Sequence, residues 1–256
     1  MSVSPSADAR AARLELERLL ATDAIDLARH LPPGFADAAE RYVELLLDAN
    51  RRLNLTRVVE PEAVARLHLL DALAALPLID AANPASAMDL GSGGGVPGLV
   101  LALARPKMAW TLVDSVRKKV DSLGAFTAAL GLRNVTLLAE RAEVLGRGDH
   151  RASFDLVAAR ACAALPVLAE YTLPLTRVGG ELLAWKGPMS EDEAVAGARA
   201  AAQLGGGTPE VLSSGIPALG DHVFVRIRKE GATPDAYPRR AGVPARQPLG
   251  GAGRRT

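Results

Sequence analysis

The stretch Ser86-Ala-Met-Asp-Leu-Gly-Ser-Gly-Gly-Gly-Val-Pro-Gly98 joins a short apolar run, a glycine-rich turn and the start of a helix. Its first residues, through Leu90, are typical of the end of a buried strand. Pro97 suits the first turn of a helix that continues to Ala104. Glycines let a backbone approach a ligand closely, and a helix amino terminus presents free N–H groups. The stretch therefore predicts a strand, a turn and a helix arranged around a nucleotide-type pocket.

Two glycine registers overlap in this stretch. Gly93-x-Gly95-x-x-Gly98 matches the dinucleotide fingerprint, whereas Asp89-x-Gly91-x-Gly93-x-Gly95 matches the loop that holds S-adenosylmethionine. A pyrophosphate is anionic and disfavours an acid just before the glycines, but S-adenosylmethionine carries an ammonium and a sulfonium group. Asp89 thus favours the methyl donor, bound directly or through water. The alternative is that Asp89 only orders the turn as an Asx residue.

A second signal follows about twenty residues later, in the apolar run Ala109-Trp-Thr-Leu-Val-Asp114. An alternating α/β domain places the carboxylate that binds ribose hydroxyls at the end of such a run. Asp114 therefore predicts a bound ribose without distinguishing the two nucleotides. Its alternative role is to cap the helix that begins at Val116.

Composition limits the class of protein. The chain has 256 residues, of which 49% are hydrophobic and 23% charged, a balance typical of a soluble globular protein. The net charge of +1 means that nucleic acid would have to be bound by local basic patches. The one cysteine excludes an internal disulfide and suits a reducing compartment. Without a signal-peptide core or a bilayer-spanning stretch, we expect a cytoplasmic protein with no membrane partner.

Hydrophobic periodicity changes near residue 85. Before it, apolar spacing predicts helices over residues 11–30, over residues 35–51 and from residue 60 onward. After it, strands alternate with helices, and the last strand is expected to run antiparallel. The predicted strands cover residues 87–90, 110–113, 135–138, 154–158, 180–184, 211–213 and 222–228, and the helices 97–104, 116–130, 142–145, 165–174 and 192–204.

This order predicts an α/β protein with a Rossmann-like, mostly parallel seven-stranded sheet and an N-terminal helical cap. It is the plan of the class I S-adenosylmethionine-dependent methyltransferase fold. We expect a helical segment over residues 1–82 and an S-adenosylmethionine-binding methyltransferase domain over residues 83–230. Residues 231–256 are rich in Pro, Gly and Arg and are predicted to form a basic, flexible tail.

Several motifs occur together in a specific order and spacing. They are Leu53-Asn-Leu-Thr56, Arg66-Leu-His-Leu-Leu-Asp71, the glycine stretch, Leu112-Val-Asp-Ser-Val-Arg-Lys-Lys119, Phe154-Asp-Leu-Val-Ala-Ala-Arg-Ala161 and Trp185-Lys-Gly187. Together they resemble the ribosomal RNA small subunit methyltransferase G family, also called the glucose-inhibited division protein B family. The likeness covers about residues 41–229, and residues 237–244 resemble a tail found in some members.

The resemblance implies a bacterial enzyme that transfers a methyl group from S-adenosylmethionine to N7 of one guanine in 16S rRNA. The implied partner is small-subunit rRNA or the small ribosomal subunit, and we expect a monomer. Ser92 and Val96 stand where members vary, which puts little in doubt. The implied cofactor-binding residues are Gly91, Gly93 and Val96 in the loop, Asp114, Ser115 and Val116 at the ribose, Ala142 and Glu143 beside the adenine, and Arg160 at the end of the fourth strand. The alternative for Arg160 is a salt-bridge partner outside the active site.

Guanine N7 carries an exposed lone pair and attacks a sulfonium methyl without first losing a proton. The reaction therefore depends on positioning, and we assign neither a catalytic residue nor a metal ligand. His68, among leucines, is interpreted as a structural histidine. Cys162 lacks the preceding proline typical of a pyrimidine C5 nucleophile and is interpreted as a small buried residue.

For contact with RNA, Lys186 follows the fifth strand and is a candidate for touching the target nucleotide. Arg239 and Arg240 belong to a basic C-terminal run that could follow phosphates. The alternative is that this run is an ordinary solvated tail.

Two other functions are compatible with parts of the sequence. A nicotinamide-dependent oxidoreductase would keep the glycines and Asp114 but leaves Asp89 and the leading helices unexplained. A non-catalytic RNA-binding module on the same fold would not need an intact cofactor loop.

Overall fold

One seven-stranded sheet organises the computed structural model, which describes residues 6–161 and 163–251. The strands follow the order β3-β2-β1-β4-β5-β7-β6; β1 to β5 are parallel, and β7 is antiparallel to β5 and β6. The predicted class I fold and its antiparallel last strand are confirmed. The strands are β1 (Ser86–Leu90), β2 (Ala109–Val113), β3 (Val135–Leu138), β4 (Phe154–Arg160), β5 (Thr176–Lys186), β6 (Glu210–Ser213) and β7 (Val223–Arg228).

The strand order reverses between β1 and β4, which lie side by side although β2 and β3 separate them in sequence. In open α/β sheets, ligands bind at the carboxyl ends of the strands beside such a reversal. The glycine stretch follows β1 and Arg160 ends β4, so both lie at this position. The fold alone therefore brings these two predicted site elements together.

Helices cover both faces of the sheet. One face packs against the N-terminal helices and the helices over residues 98–104 and 117–129, and the other against those over residues 142–145, 165–172 and 191–203. The described helices are α1 (Ala7–Thr22), α2 (Ile25–Ala28), α3 (Phe35–Leu53), α4 (Pro61–Val64), a π-helical turn (Ala65–Leu70), α5 (Asp71–Leu73), α6 (Leu76–Ala82), α7 (Gly98–Ala104), α8 (Arg117–Ala129), α9 (Ala142–Leu145), α10 (Leu165–Thr172), α11 (Glu191–Gln203), a 3₁₀ turn (Pro217–Leu219) and α12 (Val243–Arg246).

The N-terminal region departs from its prediction in two places. The helix predicted over residues 11–30 is two helices, because the chain leaves the helical conformation at Ala24. Helix α6 was not predicted. The buried side chains of this region belong to the same hydrophobic cluster as one face of the sheet, for example Leu16, Tyr42 and Trp110. The predicted division at residue 82 thus separates stretches of sequence that share one core.

The prediction of a flexible tail is wrong for residues 231–251, called here the C-terminal segment. Arg151 donates to the carbonyls of Thr233 and Tyr237 at 2.6 and 2.7 Å. Arg239 forms an ion pair at 2.5 Å with Glu170, whose side chain is fully buried. The segment is ordered because its polar groups satisfy charges on the domain. No helix in the described part of the chain is long and apolar enough to cross a bilayer.

Candidate functional site: a cofactor loop beside a polar cavity

The glycine stretch forms a closed loop at the carboxyl end of β1. Gly91 and Gly93 have φ values of 79° and 52°, in the left-handed region that favours glycine. The side chain of Asp89 closes the loop, because its Oδ2 accepts a hydrogen bond from the Gly98 N–H at 3.0 Å. Tyr42 of α3 supports the loop from the helical region by donating to the Gly94 carbonyl at 2.9 Å.

Asp89 lies behind the loop. Its side chain is fully buried, and burial raises its pKa to about 6. It lines neither of the two cavities in front of the loop. These contacts favour the alternative that Asp89 orders the turn over the predicted attraction to a charged methyl donor. The acid before the glycines therefore distinguishes S-adenosylmethionine from a dinucleotide less well than the sequence suggested.

Two cavities share Gly91 as a lining residue. Most of the predicted cofactor residues line one cavity or the other. Val116 is the exception, since it is 44% exposed and lines neither cavity. The first cavity, of about 130 Å³, is lined by Gly91, Asp114, Ser115, Ala142, Glu143 and Tyr171 among others. The second, of about 200 Å³, is lined by Gly91, Gly93, Val96, His68, Lys119 and Arg160 among others.

Asp114 ties the glycine loop to the end of β2. Its Oδ2 accepts from the Gly93 N–H at 3.1 Å, and its Oδ1 accepts from the Val116 N–H at 2.9 Å. Helix α8 begins at Arg117 and has no side-chain cap at Val116, so Asp114 is not its N-cap residue. The carboxylate is buried and lines the first cavity, as a ribose-binding group should.

The C-terminal segment supports the far wall of the first cavity. The Gly242 N–H donates to Oε1 of the buried Glu143 at 2.7 Å. Arg239 binds Glu170, the residue before Tyr171. Of the residues that line this wall, Glu143 thus contacts the segment directly, and Tyr171 follows Glu170, which does so too. Tyr171 was not identified from the sequence, because an aromatic residue in a helix carries no signal of its own.

Arg160 and His68 lie between the second cavity and a larger one of about 440 Å³, and line both. Arg160 donates to the Leu67 carbonyl at 2.6 Å and pairs with Asp71 at 3.1 Å. His68 is buried, and its Nδ1 accepts from Arg160 at 3.3 Å because a guanidinium can only donate. Its Nε2 therefore carries the proton and donates to Thr56 Oγ1 at 2.8 Å.

Burial, with a smaller contribution from the Arg160 charge, lowers the pKa of His68 to about 4. The ring is therefore neutral at physiological pH, and both of its nitrogens are hydrogen-bonded. No lone pair is left to take a proton from a substrate. The geometry agrees with the structural role expected for His68.

Lys186, His222 and Trp185 line the larger cavity with Arg160. Lys186 forms an ion pair with Glu193 at 2.6 Å, and His222 Nδ1 lies 3.0 Å from Asp71 Oδ1. His222 precedes β7 and was assigned no role from the sequence. His222 lies at the carboxyl edge of the sheet because β7 runs antiparallel beside β5, so that the start of β7 adjoins the end of β5. The sequence could indicate this position only if that pairing were known.

The comparisons with known proteins agree on one family. Its sequence model, described as rRNA small subunit methyltransferase G, matches residues 36–216. The chain belongs to this family. Ribosomal RNA small subunit methyltransferase G of Deinococcus radiodurans is 46% identical over 233 residues, which cover 90% of this chain and 92% of that protein. The protein of the same name from Moorella thermoacetica is 42% identical over 236 residues, 91% of this chain and 98% of that protein.

Solved structures support the fold. The S-adenosylmethionine-dependent methyltransferase SibL aligns with a TM-score of 0.55 at 16% identity, over 86% of this chain and 74% of that one. The O-methyltransferase TomG, solved with its methyl donor, aligns with a TM-score of 0.52 at 17% identity, over 85% and 99% of the two chains. Family membership makes this chain an S-adenosylmethionine-dependent methyltransferase. It supports neither the nicotinamide-dependent alternative nor the non-catalytic one.

Two cations of the basic C-terminal stretch, Lys229 and Arg239, are engaged by the domain. Arg239 forms an ion pair with Glu170, and the buried Lys229 donates to the carbonyls of Leu173 and Leu204 at 2.8 and 2.7 Å. This pairing does not favour the predicted contact of Arg239 with RNA. Arg240 is exposed and stays a candidate. Cys162, Arg254 and Arg255 lie outside the described residues.

Proposed function

We propose that this chain transfers the methyl group of S-adenosylmethionine to N7 of a guanine in small-subunit rRNA. One observation supports the choice of site most directly. The 440 Å³ cavity and the cavity at the glycine loop share His68, Arg160 and Ala161 as lining residues. A base in the larger cavity would therefore lie directly beside a cofactor held by the loop.

The loop has the properties that such a cofactor needs. At Gly93 the position of an added Cβ faces only the Gly91 carbonyl oxygen, 3.8 Å away, so bare backbone faces the cavity. We assign Gly91, Gly93 and Val96 to the loop contact, and Asp114, Ser115 and the Val116 backbone to the ribose. Ala142 and Glu143 would lie beside the adenine, and Arg160 between cofactor and base. When bound, S-adenosylmethionine supplies an electrophilic methyl group.

The residues around the larger cavity suit attack by an unprotonated ring nitrogen. His68 is held neutral with both nitrogens engaged, so it is not available as a general base. Guanine gains a positive charge when N7 is methylated. The two cations that line the cavity, Arg160 and Lys186, each pair with a carboxylate, Asp71 and Glu193. This pairing lowers the electrostatic cost of the new charge. Arg240 and Lys186 are the candidates for contact with the RNA.

The reaction would take place in the cytoplasm on rRNA or on the small ribosomal subunit. The test is to map N7-methylguanine in small-subunit rRNA from cells with and without this protein. The proposal expects one modified guanine to disappear on deletion and to return when the gene is restored. An unchanged N7-methylguanine map after deletion would contradict it.

A further inference from the structure

The larger cavity contains an Asp71–His222 pair that the reaction as described above does not use. The carboxylate of Asp71 is 4% exposed and accepts from Arg160 on one oxygen and from His222 on the other. Its backbone carbonyl accepts from Trp185 Nε1 at 2.8 Å. Trp185 is held in turn by an edge-to-face contact with Phe224, with ring centroids 5.3 Å apart. Asp71 is therefore fixed from three directions, and it fixes the His222 ring.

This contact determines which nitrogen of His222 is available to a ligand. A carboxylate only accepts, so the proton between Asp71 Oδ1 and His222 sits on Nδ1. In the neutral ring Nε2 then carries a lone pair. Within the described part of the chain, no hydrogen bond to Nε2 is found. The side chain is 41% exposed and lines the cavity, so Nε2 is an acceptor that a bound base can reach.

We propose that His222 reads the Watson–Crick edge of the target guanine, as an acceptor for its N1–H. This proposal rests on the proposed function, because it places the target base in this cavity. Guanine presents an acceptor, O6, next to a donor, N1–H. The cavity offers the complementary pair, an ammonium donor on Lys186 and an acceptor on His222. Adenine presents a donor and an acceptor in the reverse order, so the same pair would reject it.

The test combines a change in the protein with a change in the base. The substrate is small-subunit RNA with either guanosine or 2-aminopurine riboside at the target position. 2-Aminopurine keeps N7 but lacks both O6 and N1–H. The proteins are wild type, His222→Ala and His222→Asn, and the measurement is the single-turnover rate of transfer from labelled S-adenosylmethionine. Any difference in N7 reactivity between the bases is the same for all three proteins and cancels in the comparison.

His222→Asn is the matched control. The asparagine amide nitrogen is as many bonds from Cβ as His Nδ1, so it can still donate to Asp71, but nothing replaces Nε2. If His222 reads N1–H, both variants lose about 100-fold on guanosine. Changing the base to 2-aminopurine then costs the variants only the O6 contact with Lys186, which wild type loses as well. Wild type should lose about 100-fold more than the variants on the same change of base, because it loses the contacts to both O6 and N1–H.

Two results would overturn the proposal. An asparagine variant with the wild-type rate would show that His222 only satisfies Asp71. Equal losses on 2-aminopurine in all three proteins would show that His222 makes no contact with N1–H. Affinity for S-adenosylmethionine and the unfolding midpoint should stay unchanged in His222→Asn, because His222 lines neither cofactor cavity. Failure of the proposed function is distinguishable, because wild type would then form no N7-methylguanine on the guanosine substrate.

Discussion

The cofactor side and the base side of the site are built in different ways. On the cofactor side, Asp89 binds Gly98 nine residues along the chain, and Asp114 binds Gly93 across 21 residues. On the base side, Asp71 is 89 residues from Arg160, 114 from Trp185 and 151 from His222. The first set of contacts joins only β1, β2 and the loop after β1, whereas the second joins the helical region to β4, β5 and the residue before β7. In the proposed assignment, the methyl donor would thus be held mainly by a local motif, and the base by contacts between distant parts of the chain.

The C-terminal segment qualifies this contrast. Its Gly242 binds Glu143 across 99 residues, and its Arg239 binds Glu170 across 69 residues. Both carboxylates belong to the wall of the first cofactor cavity or adjoin it. One wall of the cofactor side therefore also depends on long-range contacts.

The largest expected effect is that of Arg239→Ala. Glu170 is fully buried, and removing its partner leaves an uncompensated charge in the core. We expect the free energy of unfolding to fall by about 3–5 kcal/mol in urea titrations. If the C-terminal segment holds the cofactor wall, affinity for S-adenosylmethionine should fall as well, as measured by calorimetry.

The matched control is Arg240→Ala at the neighbouring, exposed position, where the loss should stay within about 0.5 kcal/mol. If Arg239→Ala unfolds like wild type and binds the methyl donor normally, the cofactor side does not depend on its long-range contacts with the C-terminal segment. Removing residues 231–256 would be a poor test of RNA binding, because residues 231–251 pack on the domain.

This difference in construction also explains what could be predicted. The strands were located from local apolar runs, and the cofactor residues from glycines and an acid at fixed spacing. The ordered C-terminal segment was missed because its composition suggests a mobile tail, while the carboxylates that hold it are far away in sequence. His222 was missed for the same reason, since Asp71 precedes it by 151 residues. The resemblance supplied Ala142 and Glu143, which no spacing rule indicates.

Gly98→Ala should destabilise the protein strongly, by about 3 kcal/mol. An added Cβ would lie 2.5 Å from Asp89 Cβ and 2.6 Å from its Oδ2, and would also collide with Leu112. The same change at Gly93 meets open space and costs only the left-handed conformation, about 1–2 kcal/mol. Gly93→Ala should therefore stay folded yet bind S-adenosylmethionine more weakly. Urea unfolding and calorimetry on the two variants separate these effects, and unchanged affinity in Gly93→Ala would contradict the assigned loop contact.

His68 belongs to both sides and gives a test by pH. Its folded-state pKa of about 4 lies below the ordinary histidine value of about 6.5. The neutral ring therefore stabilises the fold above pH 6.5, and this contribution of about 3 kcal/mol is lost as the pH falls towards 4. His68→Gln cannot titrate but keeps a donor for Thr56, so its stability should depend less on pH in this window.

The rate of methyl transfer by His222→Asn, which has no titrating acceptor at this position, should meanwhile stay nearly flat from about pH 6 to 9, because guanine N7 needs no base. A single-turnover rate that rises tenfold per pH unit in this range would show instead that a base takes part. So would complete loss of transfer in a well-folded His68→Gln.

The smallest effect is expected from Arg240→Ala, which asks how far the RNA surface extends beyond the base side. Arg240 is exposed, and Gly242, two residues later, binds Glu143 at the cofactor wall. If Arg240 contacts one phosphate, its loss should reduce the slope of log affinity against log salt by about 0.7–0.9.

The control is Lys107→Ala, which removes an exposed cation that precedes β2 and so lies at the opposite end of the sheet. The measurement is titration of small-subunit RNA at several salt concentrations. Equal slopes for Arg240→Ala and Lys107→Ala would mean that Arg240 makes no phosphate contact, and the RNA surface would then have to lie around Arg51 and Arg52 at the end of α3.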